Sequence, residues 1–208
     1  MKNKIIADWS DELYSKASVP GGGGASAMAG SMAAALAGMV ANLTSGKKKY
    51  AAYQEDIERI LIETNRLRTE FLELMQEDAE SFEPLSKAYG LPKGTAEELA
   101  YRDAVMEAAL DAASLVPLHI MKTVTKLLPI LDELTEKGSK IALSDVGVSL
   151  SMARATLTGA SMNVYINTKM MKDRQKALDY ESRADTMVAE GLEKIDLLYQ
   201  SVLEELRG

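Results

Sequence analysis

The sequence predicts an all-α protein, a multihelical bundle of about seven or eight helices in a single domain that spans residues 1–208. Apolar residues recur at helical spacing along nearly the whole chain, and the breaks are short stretches rich in Gly and Pro. No segment shows a convincing strand-like alternation. The composition agrees with a helical core of Ala, Leu and Met, because aromatic residues make up only 5% of the chain.

The first half of the chain contains three predicted helices. Residues 4–17 form an amphipathic helix that ends at a proline and four glycines. Residues 25–45 form a helix of small residues without a single charge, a composition that favours close contact with another helix. Residues 50–89 form a long helix, which Pro84 kinks or ends, and residues 90–94 break the chain.

The next helix begins at Thr95, which is predicted to be its N-cap with Glu98 as the capping-box partner. This helix extends to about residue 115. Pro117 is predicted to start a further helix, and Pro129 to interrupt or bend it.

After a break at residues 136–139, Ser144 is predicted to cap a helix with Asp145 in its first turn. Small residues recur at every fourth position of this helix: Gly147, Ser151, Ala155, Gly159 and Asn163. We therefore expect it to pack against residues 25–45. The last helix covers residues 173–206.

The charge and residue types exclude several classes of function. A net charge of −7 argues against a general nucleic-acid or anionic-membrane binder, which needs a dominant basic face. The chain has no Cys and one His, so it lacks thiolate nucleophiles, Cys-ligated metals and His pairs. We expect no metal and no cofactor, and acid–base chemistry falls mainly on Asp, Glu, Lys or Tyr.

Two segments bear on membrane targeting. The first twelve residues lack the apolar core of a secretory signal peptide, and we expect a cytoplasmic protein. Residues 25–45 are long enough to cross a bilayer, but they are mostly Ala, Gly and Ser, which gain little from hydrocarbon. We expect a buried helix and no membrane association.

The stretch from Pro20 to Tyr50 is the most constrained in composition. Gly21, Gly22 and Gly23 precede a predicted helix N-terminus, where backbone N–H groups can approach an anionic ligand closely. The same glycines are equally explained as a hinge. Three consecutive lysines, Lys47, Lys48 and Lys49, are either a solvated helix end or a local anion site in an acidic protein.

Four polar residues in the later helices are further candidates. Asp78 lies among several carboxylates, and composition alone does not single it out. Asp145 is well explained as a carboxylate in the first turn of a helix, where its negative charge interacts favourably with the helix dipole. Asn163 and Asn167 lie one turn apart, and a buried Asn requires partners from another helix or from a ligand.

Several segments, taken in order along the chain, resemble one known family. They are Pro20-Gly21-Gly22-Gly23, Met39-Val40-Ala41-Asn42-Leu43-Thr44, Gly46-Lys47-Lys48-Lys49-Tyr50, Asp78-Ala79 with Phe82, Leu91-Pro92-Lys93, Ser144-Asp145, and Gly159-Ala160 with Asn163-Val164 and Ile166-Asn167. The chain resembles the cyclodeaminase/cyclohydrolase family, which includes the C-terminal domain of formiminotransferase-cyclodeaminase. One departure is Gly24, where members often carry Ser.

The resemblance implies an all-helical homodimer that binds a reduced folate, with Asp78 at the position of the catalytic aspartate. It implies a tetrahydrofolate derivative as substrate and a cyclodeaminase or cyclohydrolase activity. Under this interpretation the substrate-binding candidates are Gly21, Gly22, Gly23, Lys47, Lys48, Lys49, Asp145, Asn163 and Asn167. The alternative function is a non-catalytic helical module that binds folate or only dimerises.

Overall fold

The structure is a computed structural model that describes Met1 and residues 4–208, and these residues form six α-helices and no β-strand. The helices are α1 (Ile6–Tyr14), α2 (Gly22–Thr44), α3 (Gln54–Ala88), α4 (Ala96–Lys137), α5 (Leu143–Thr168) and α6 (Arg174–Arg207). Short 3-10 turns, Lys48–Tyr53 and Lys140–Ala142, precede α3 and α5. The predicted all-α class is confirmed, whereas the expected count of seven or eight helices is wrong.

The count differs because Pro117 starts no new helix and Pro129 interrupts none; both lie inside the continuous helix α4. A proline within a helix lacks an N–H, so the carbonyl four residues earlier loses its helical donor. At Pro117 that carbonyl belongs to Ala113. The side chain of Asn167 in α5 donates to it instead, with 2.9 Å between Nδ2 and the carbonyl oxygen. A neighbouring helix thus supplies the missing bond, and α4 continues.

Two predicted helix starts have different outcomes. The capping box at α4 is confirmed: the Glu98 N–H donates to Thr95 Oγ1 at 3.1 Å, and Glu98 Oε2 accepts from the Thr95 N–H at 3.0 Å. Ser144 is not the N-cap of α5, because the 3-10 turn leads directly into the helix and Ala142 occupies that position. Ser144 therefore already has helical backbone.

Helix α2 begins earlier than predicted. Gly21 is its N-cap, and the Ala25 N–H donates to the Gly21 carbonyl at 3.0 Å, so the glycines form the first helical turn rather than a loop. Glycine disfavours a helix by roughly 1 kcal/mol per residue relative to Ala. Packing of this turn against α3 offsets that preference at Gly23, where a Cβ would overlap the Asp78 carboxylate of α3.

Helices α2 and α5 pack side by side, as the small-residue pattern predicted, and they run antiparallel. Near their middle, Ser149 Oγ donates to the carbonyl of Ala33 at 2.8 Å. The start of α2 lies beside the end of α5, since a Cβ on Gly22 would lie 3.4 Å from the Asn163 amide. Helix α4 packs against α2, α3, α5 and α6 and forms the centre of the core.

The stripe of small residues on α5 does not face α2 along its whole length. Gly159 and Asn163 face α2, but a Cβ on Gly147 would lie 3.3 Å from Val202 of α6. Each step of four residues turns about 40° around a helix, so positions sixteen residues apart differ by roughly 160°. The prediction that this edge packs on α2 is therefore right only for its C-terminal part.

The close helix approach of α2 is made mainly toward α3. A Cβ on Gly30 would lie 2.6 Å from the Phe71 ring, and a Cβ on Gly38 would lie 3.2 Å from Thr64 Oγ1. Phe71 is fully buried. These glycines let α3 carry a large aromatic side chain directly against the backbone of α2.

Two helices are long and apolar enough to cross a membrane by length and composition, Gly22–Thr44 and Ala96–Lys137. Buried residues make up 56% and 44% of their most apolar windows. The core helices of a folded bundle pass the same test, so length and composition do not by themselves indicate a membrane span.

Candidate functional site

A cavity of about 180 Å³ lies where the start of α2 meets α3, α4 and α5. Six of the residues singled out from the sequence line it: Gly21, Gly22, Gly23, Asp78, Asn163 and Asn167. They come from three separate parts of the chain. The antiparallel packing of α2 and α5 and the crossing of α3 over the first turn of α2 bring them together.

The wall contains other residues that sequence reasoning did not select: Ser18, Val19, Ser81, Phe82, Ala113 and Ile166. Phe82 follows Asp78 by four residues, and residues four apart share a helix face, so this spacing was an available signal. Ala113 lies in the middle of α4 and has no such signal. Only the tertiary packing places it here.

Asp78 projects from α3 onto the first turn of α2. The Gly24 backbone N–H hydrogen-bonds to its carboxylate. A Cβ on Gly23 would overlap this carboxylate, whereas a Cβ on Gly24 would lie 3.7 Å from Asp78 Oδ2, an ordinary contact distance. Because Gly23 has no side chain, the Asp78 carboxylate can occupy the space where a Cβ would lie.

Burial raises the pKa of Asp78 from 3.8 to about 6, because the charged form is poorly solvated, and the hydrogen bond from Gly24 opposes this effect. Among the residues that the structure describes, no cationic partner contributes to the shift. A carboxyl group whose pKa lies near neutrality can both accept and donate a proton under physiological conditions. Such a shift at a cavity wall is typical of a functional acid or base.

The two asparagines at the cavity differ in their hydrogen-bond partners. The Nδ2 group of Asn163 donates to the carbonyl of Gly159 at 2.9 Å, within α5, and the amide lies beside Gly22 at the start of α2. Asn167 is buried, and its Nδ2 donates to Ala113. Asn167 therefore has a structural role in α4 in addition to any contact with a ligand.

The three lysines lie at the opposite end of α2. This helix has 23 residues, which corresponds to a length of about 35 Å. Lys47 Nζ lies 3.4 Å from Ser139 Oγ, and Lys49 Nζ lies 5.5 Å from the centre of the Tyr50 ring. All three lysines are exposed. Within one chain the structure does not bring them to the cavity.

Asp145 also lies away from the cavity. It is in the first turn of α5, as predicted, while Asn163 is 18 residues further along the same helix. At 1.5 Å per residue the two positions are about 27 Å apart. The predicted site residues therefore separate into one group around Asp78 and another at the far end of α2 and α5.

The described part of the chain contains no group of three or more His, Cys, Asp or Glu side chains that is placed to hold a metal ion. The chemistry that the cavity offers is that of one carboxyl group with a raised pKa beside the N-terminus of a long helix. Phe82 supplies an apolar wall, and Asn163 supplies amide groups.

Comparisons with known proteins show which family the chain is similar to. Residues 5–186 match the family model described as formiminotransferase-cyclodeaminase. The chain is 38% identical over 200 residues to the methenyltetrahydrofolate cyclohydrolase of Methylorubrum extorquens, and this match covers 96% of each chain.

Two further relatives extend the comparison. The chain is 33% identical over 162 residues to the formimidoyltransferase-cyclodeaminase of Rattus norvegicus, a match that covers 78% of this chain but only 30% of the rat protein. Its fold is similar to the crystal structure of formiminotetrahydrofolate cyclodeaminase from Thermotoga maritima, with a TM-score of 0.82 and 29% identity. That match covers 100% of this chain and 98% of the solved one.

Proposed function

Because the chain belongs to the formiminotransferase-cyclodeaminase family, we propose that it is a folate one-carbon enzyme. Its substrate is 5-formiminotetrahydrofolate, 5,10-methenyltetrahydrofolate or both. The observation that supports this proposal most directly is Asp78, whose carboxyl group lies against the first turn of α2 with a pKa raised to about 6.

The hydrolase reaction begins with a cationic methenyl group that bridges N5 and N10. Water adds to the bridging carbon and loses a proton to the Asp78 carboxylate. The Asp78 carboxyl group gives this proton to N5 as the bond from the carbon to N5 breaks. The hydroxyl group on the carbon releases its remaining proton to solvent, and the resulting formyl group stays on N10. The anionic form of Asp78 also stabilises the cationic bridge before water adds.

The cyclodeaminase reaction passes through a related tetrahedral carbon. N10 attacks the formimino carbon and loses its proton, and the imine nitrogen gains one, so a carboxyl group that relays protons serves both steps. A second proton from solvent leaves with ammonia, and the cationic bridge forms. Neither reaction requires a metal ion or a redox cofactor.

The remaining residues have binding roles in this proposal. The first turn of α2, with Gly21, Gly22 and Asn163 beside it, contacts the pterin end of the substrate. Lys47, Lys48 and Lys49 bind the anionic glutamate tail, and Asp145 and Asn167 remain candidates for substrate contacts. The protein acts in the cytoplasm as a homodimer.

Replacement of Asp78 by Asn tests the proposal. Asn keeps the shape of the side chain and accepts the Gly24 hydrogen bond, but it cannot relay a proton. We expect Asp78→Asn to lower kcat about 10²-fold or more, the range that general acid–base catalysis supplies. Formation or loss of methenyltetrahydrofolate, followed by its absorbance with each substrate separately, measures this change.

The matched control is Glu77→Gln, which removes an exposed carboxylate from the neighbouring position of α3. It should retain wild-type turnover. If Asp78→Asn turns over either substrate at the wild-type rate, Asp78 is not the catalytic group. Folate binding by the wild type without turnover of either substrate would favour the non-catalytic module.

A further inference from the structure

Helix α5 presents two asparagine amides to the Asp78 cavity with the same polarity. Asn163 Nδ2 donates to the carbonyl of Gly159 at 2.9 Å. Asn167 Nδ2 donates to the carbonyl of Ala113, also at 2.9 Å. A main-chain carbonyl only accepts hydrogen bonds, so the nitrogen of each amide must face it. The Oδ1 atom of each amide is therefore the atom that remains for a ligand.

The Oδ1 atom of Asn167 is unpaired and open to the cavity. Asn167 is 7% exposed, yet its Oδ1 atom accepts no hydrogen bond from the residues that the structure describes. Within those residues, the fully buried side-chain atoms without a partner are Trp9 Nε1 and Arg102 Nε. Asn167 Oδ1 is not one of them, so it is accessible, and Asn167 lines the cavity. A buried amide with a free oxygen at a cavity wall is placed to accept from a donor of a bound molecule.

Pro117 determines which atom of Asn167 faces the cavity. An ordinary residue at position 117 would donate its N–H to the Ala113 carbonyl within α4. Because proline has no N–H, this carbonyl is left for Asn167 Nδ2. The reverse orientation of the amide would place Oδ1 against the Ala113 oxygen, two acceptors with no proton between them. The proline in α4 thus fixes the amide in α5.

The position of Asn167 relative to Asp78 indicates the part of the substrate that it meets. Asn163 lies beside Gly22 at the start of α2, and Asn167 is four residues further along α5, about 6 Å beyond it. The reacting atom N5 belongs to the pterin ring, and the 2-amino group lies at the opposite end of that ring. With N5 at Asp78 and the ring along α5, the 2-amino group reaches the level of Asn167.

We propose that Asn167 determines specificity for the pterin ring, because its Oδ1 atom accepts a hydrogen bond from the 2-amino group while Pro117 holds the amide in that orientation. Asn163 Oδ1 offers a second acceptor one helical turn nearer to Asp78. Pro117 does not line the cavity and acts only as a positioning residue. The inference deepens the proposed function, on which the assignment of the ligand as a folate rests.

Two ligands test the acceptor. Tetrahydrofolate lacks the reacting carbon and binds without turnover, and its 2-desamino-2-methyl analogue carries a methyl group in place of the amino group. Isothermal titration calorimetry measures both Kd values. The wild type should bind tetrahydrofolate roughly 5- to 150-fold more tightly, because the analogue leaves Asn167 Oδ1 without a donor.

Asn167→Ala should bind the two ligands with nearly equal affinity, since the acceptor is absent. A wild type that binds both ligands equally would overturn the proposal. An Asn167→Ala variant that keeps the wild-type ratio of Kd values would overturn it as well.

Pro117→Ala tests the role of the proline. The new N–H can donate to the Ala113 carbonyl, which releases the Asn167 amide to turn its Nδ2 group toward the ligand. The ratio of Kd values should therefore fall well below that of the wild type. The matched control is Pro129→Ala, at the exposed second proline of α4 about 18 Å further along the helix, which should keep the wild-type ratio. A wild-type ratio in Pro117→Ala would overturn the positioning role.

The double variant Asn167→Ala/Pro117→Ala separates ligand recognition from folding. It restores a donor to the Ala113 carbonyl but not the acceptor in the cavity. We expect thermal unfolding to show recovered stability relative to Asn167→Ala, while the two ligands still bind equally. Recovery of the wild-type Kd ratio in the double variant would show that Asn167 acts only through the fold, and would overturn the proposal.

These measurements also distinguish the inference from the proposed function. If the wild type discriminates between the two ligands but turns over neither one-carbon substrate, the proposed function fails and the inference stands. If the wild type is active but binds both ligands equally, the function stands and the inference fails. A wild type that binds neither ligand overturns the inference.

Discussion

The buried position of Asp78 makes its charged form unfavourable in the folded protein at neutral pH. Its pKa is raised from 3.8 to about 6 by burial, so the folded protein binds a proton more tightly than the unfolded chain. The stability associated with the neutral form is fully present below pH 4 and is lost as the pH rises through 6. A shift of this size corresponds to about 3 kcal/mol.

Asp78→Asn should therefore stabilise the protein by up to about 3 kcal/mol at pH 8 and change it little at pH 4, because Asn carries no charge to bury. Urea unfolding at the two pH values measures this difference. Glu77→Gln, which removes an exposed carboxylate from the neighbouring position, is the control. An equal effect of Asp78→Asn at both pH values would contradict the assigned cause.

Gly23 and Gly24 are adjacent, yet the structure predicts opposite consequences for the same change. Gly24→Ala adds a Cβ at ordinary contact distance from Asp78, Met75 and Pro20, and Ala is favoured over Gly in a helix by roughly 1 kcal/mol. We expect a gain of stability up to that value, with retained activity. Gly23→Ala places its Cβ where the Asp78 carboxylate lies.

The Gly23→Ala variant should therefore lose most of its activity, because the Asp78 side chain must move away from the Gly24 N–H. Turnover and thermal unfolding, measured on the two variants side by side, check this pair of expectations. Gly24→Ser extends the comparison to the residue that the family resemblance led us to expect at this position. Equal activity of Gly23→Ala and Gly24→Ala would show that the Asp78 position is not fixed by the glycine.

At the scale of the helices, the bond from Asn167 to Ala113 links the integrity of α4 to α5. Asn167→Ala leaves the Ala113 carbonyl without a donor inside the protein, which should cost about 1–3 kcal/mol. Pro117→Ala restores an N–H to α4 that can donate to this carbonyl. The double variant should therefore be less destabilised than the sum of the two single changes.

Urea unfolding of the wild type, both single variants and the double variant forms a double-mutant cycle that measures the coupling. Thr168→Ser is a mild control at the adjacent buried position of α5. Additive effects of Asn167→Ala and Pro117→Ala would show that the side-chain bond does not compensate for the proline.

At the scale of the whole molecule, periodicity predicted the helices well because apolar spacing and tertiary packing agree in most of them. It failed at Pro117, where a side chain from a distant helix satisfies the freed carbonyl, and no local pattern near the proline reveals that partner. It also placed the start of α2 three residues late, since packing of Gly23 against Asp78 outweighs the low helix propensity of glycine.

The candidate site was predictable in part. The glycines and Asn163 were found from composition and spacing, and Asp78 was found only through the family resemblance, because several carboxylates share its region of α3. Phe82 and Ala113 were missed, since cavity walls depend on how helices cross. The helix predicted over residues 25–45 already separated the glycines from the lysines. That the cavity lies at the glycine end followed only from the packing of α3 and α5 on α2.

Helix α2 is constrained on every side. One side receives Asp78 and Phe71 from α3, another contacts α5 through Ala33, and the third exposes the apolar side chains of Met32, Met39 and Leu43. A mutation in this helix therefore affects the candidate site and the packing of the core together, and selection on one property restricts change in the other. In evolutionary terms α2 should diverge slowly among relatives, while the charged outer faces of α3 and α6 accumulate most of the neutral substitutions.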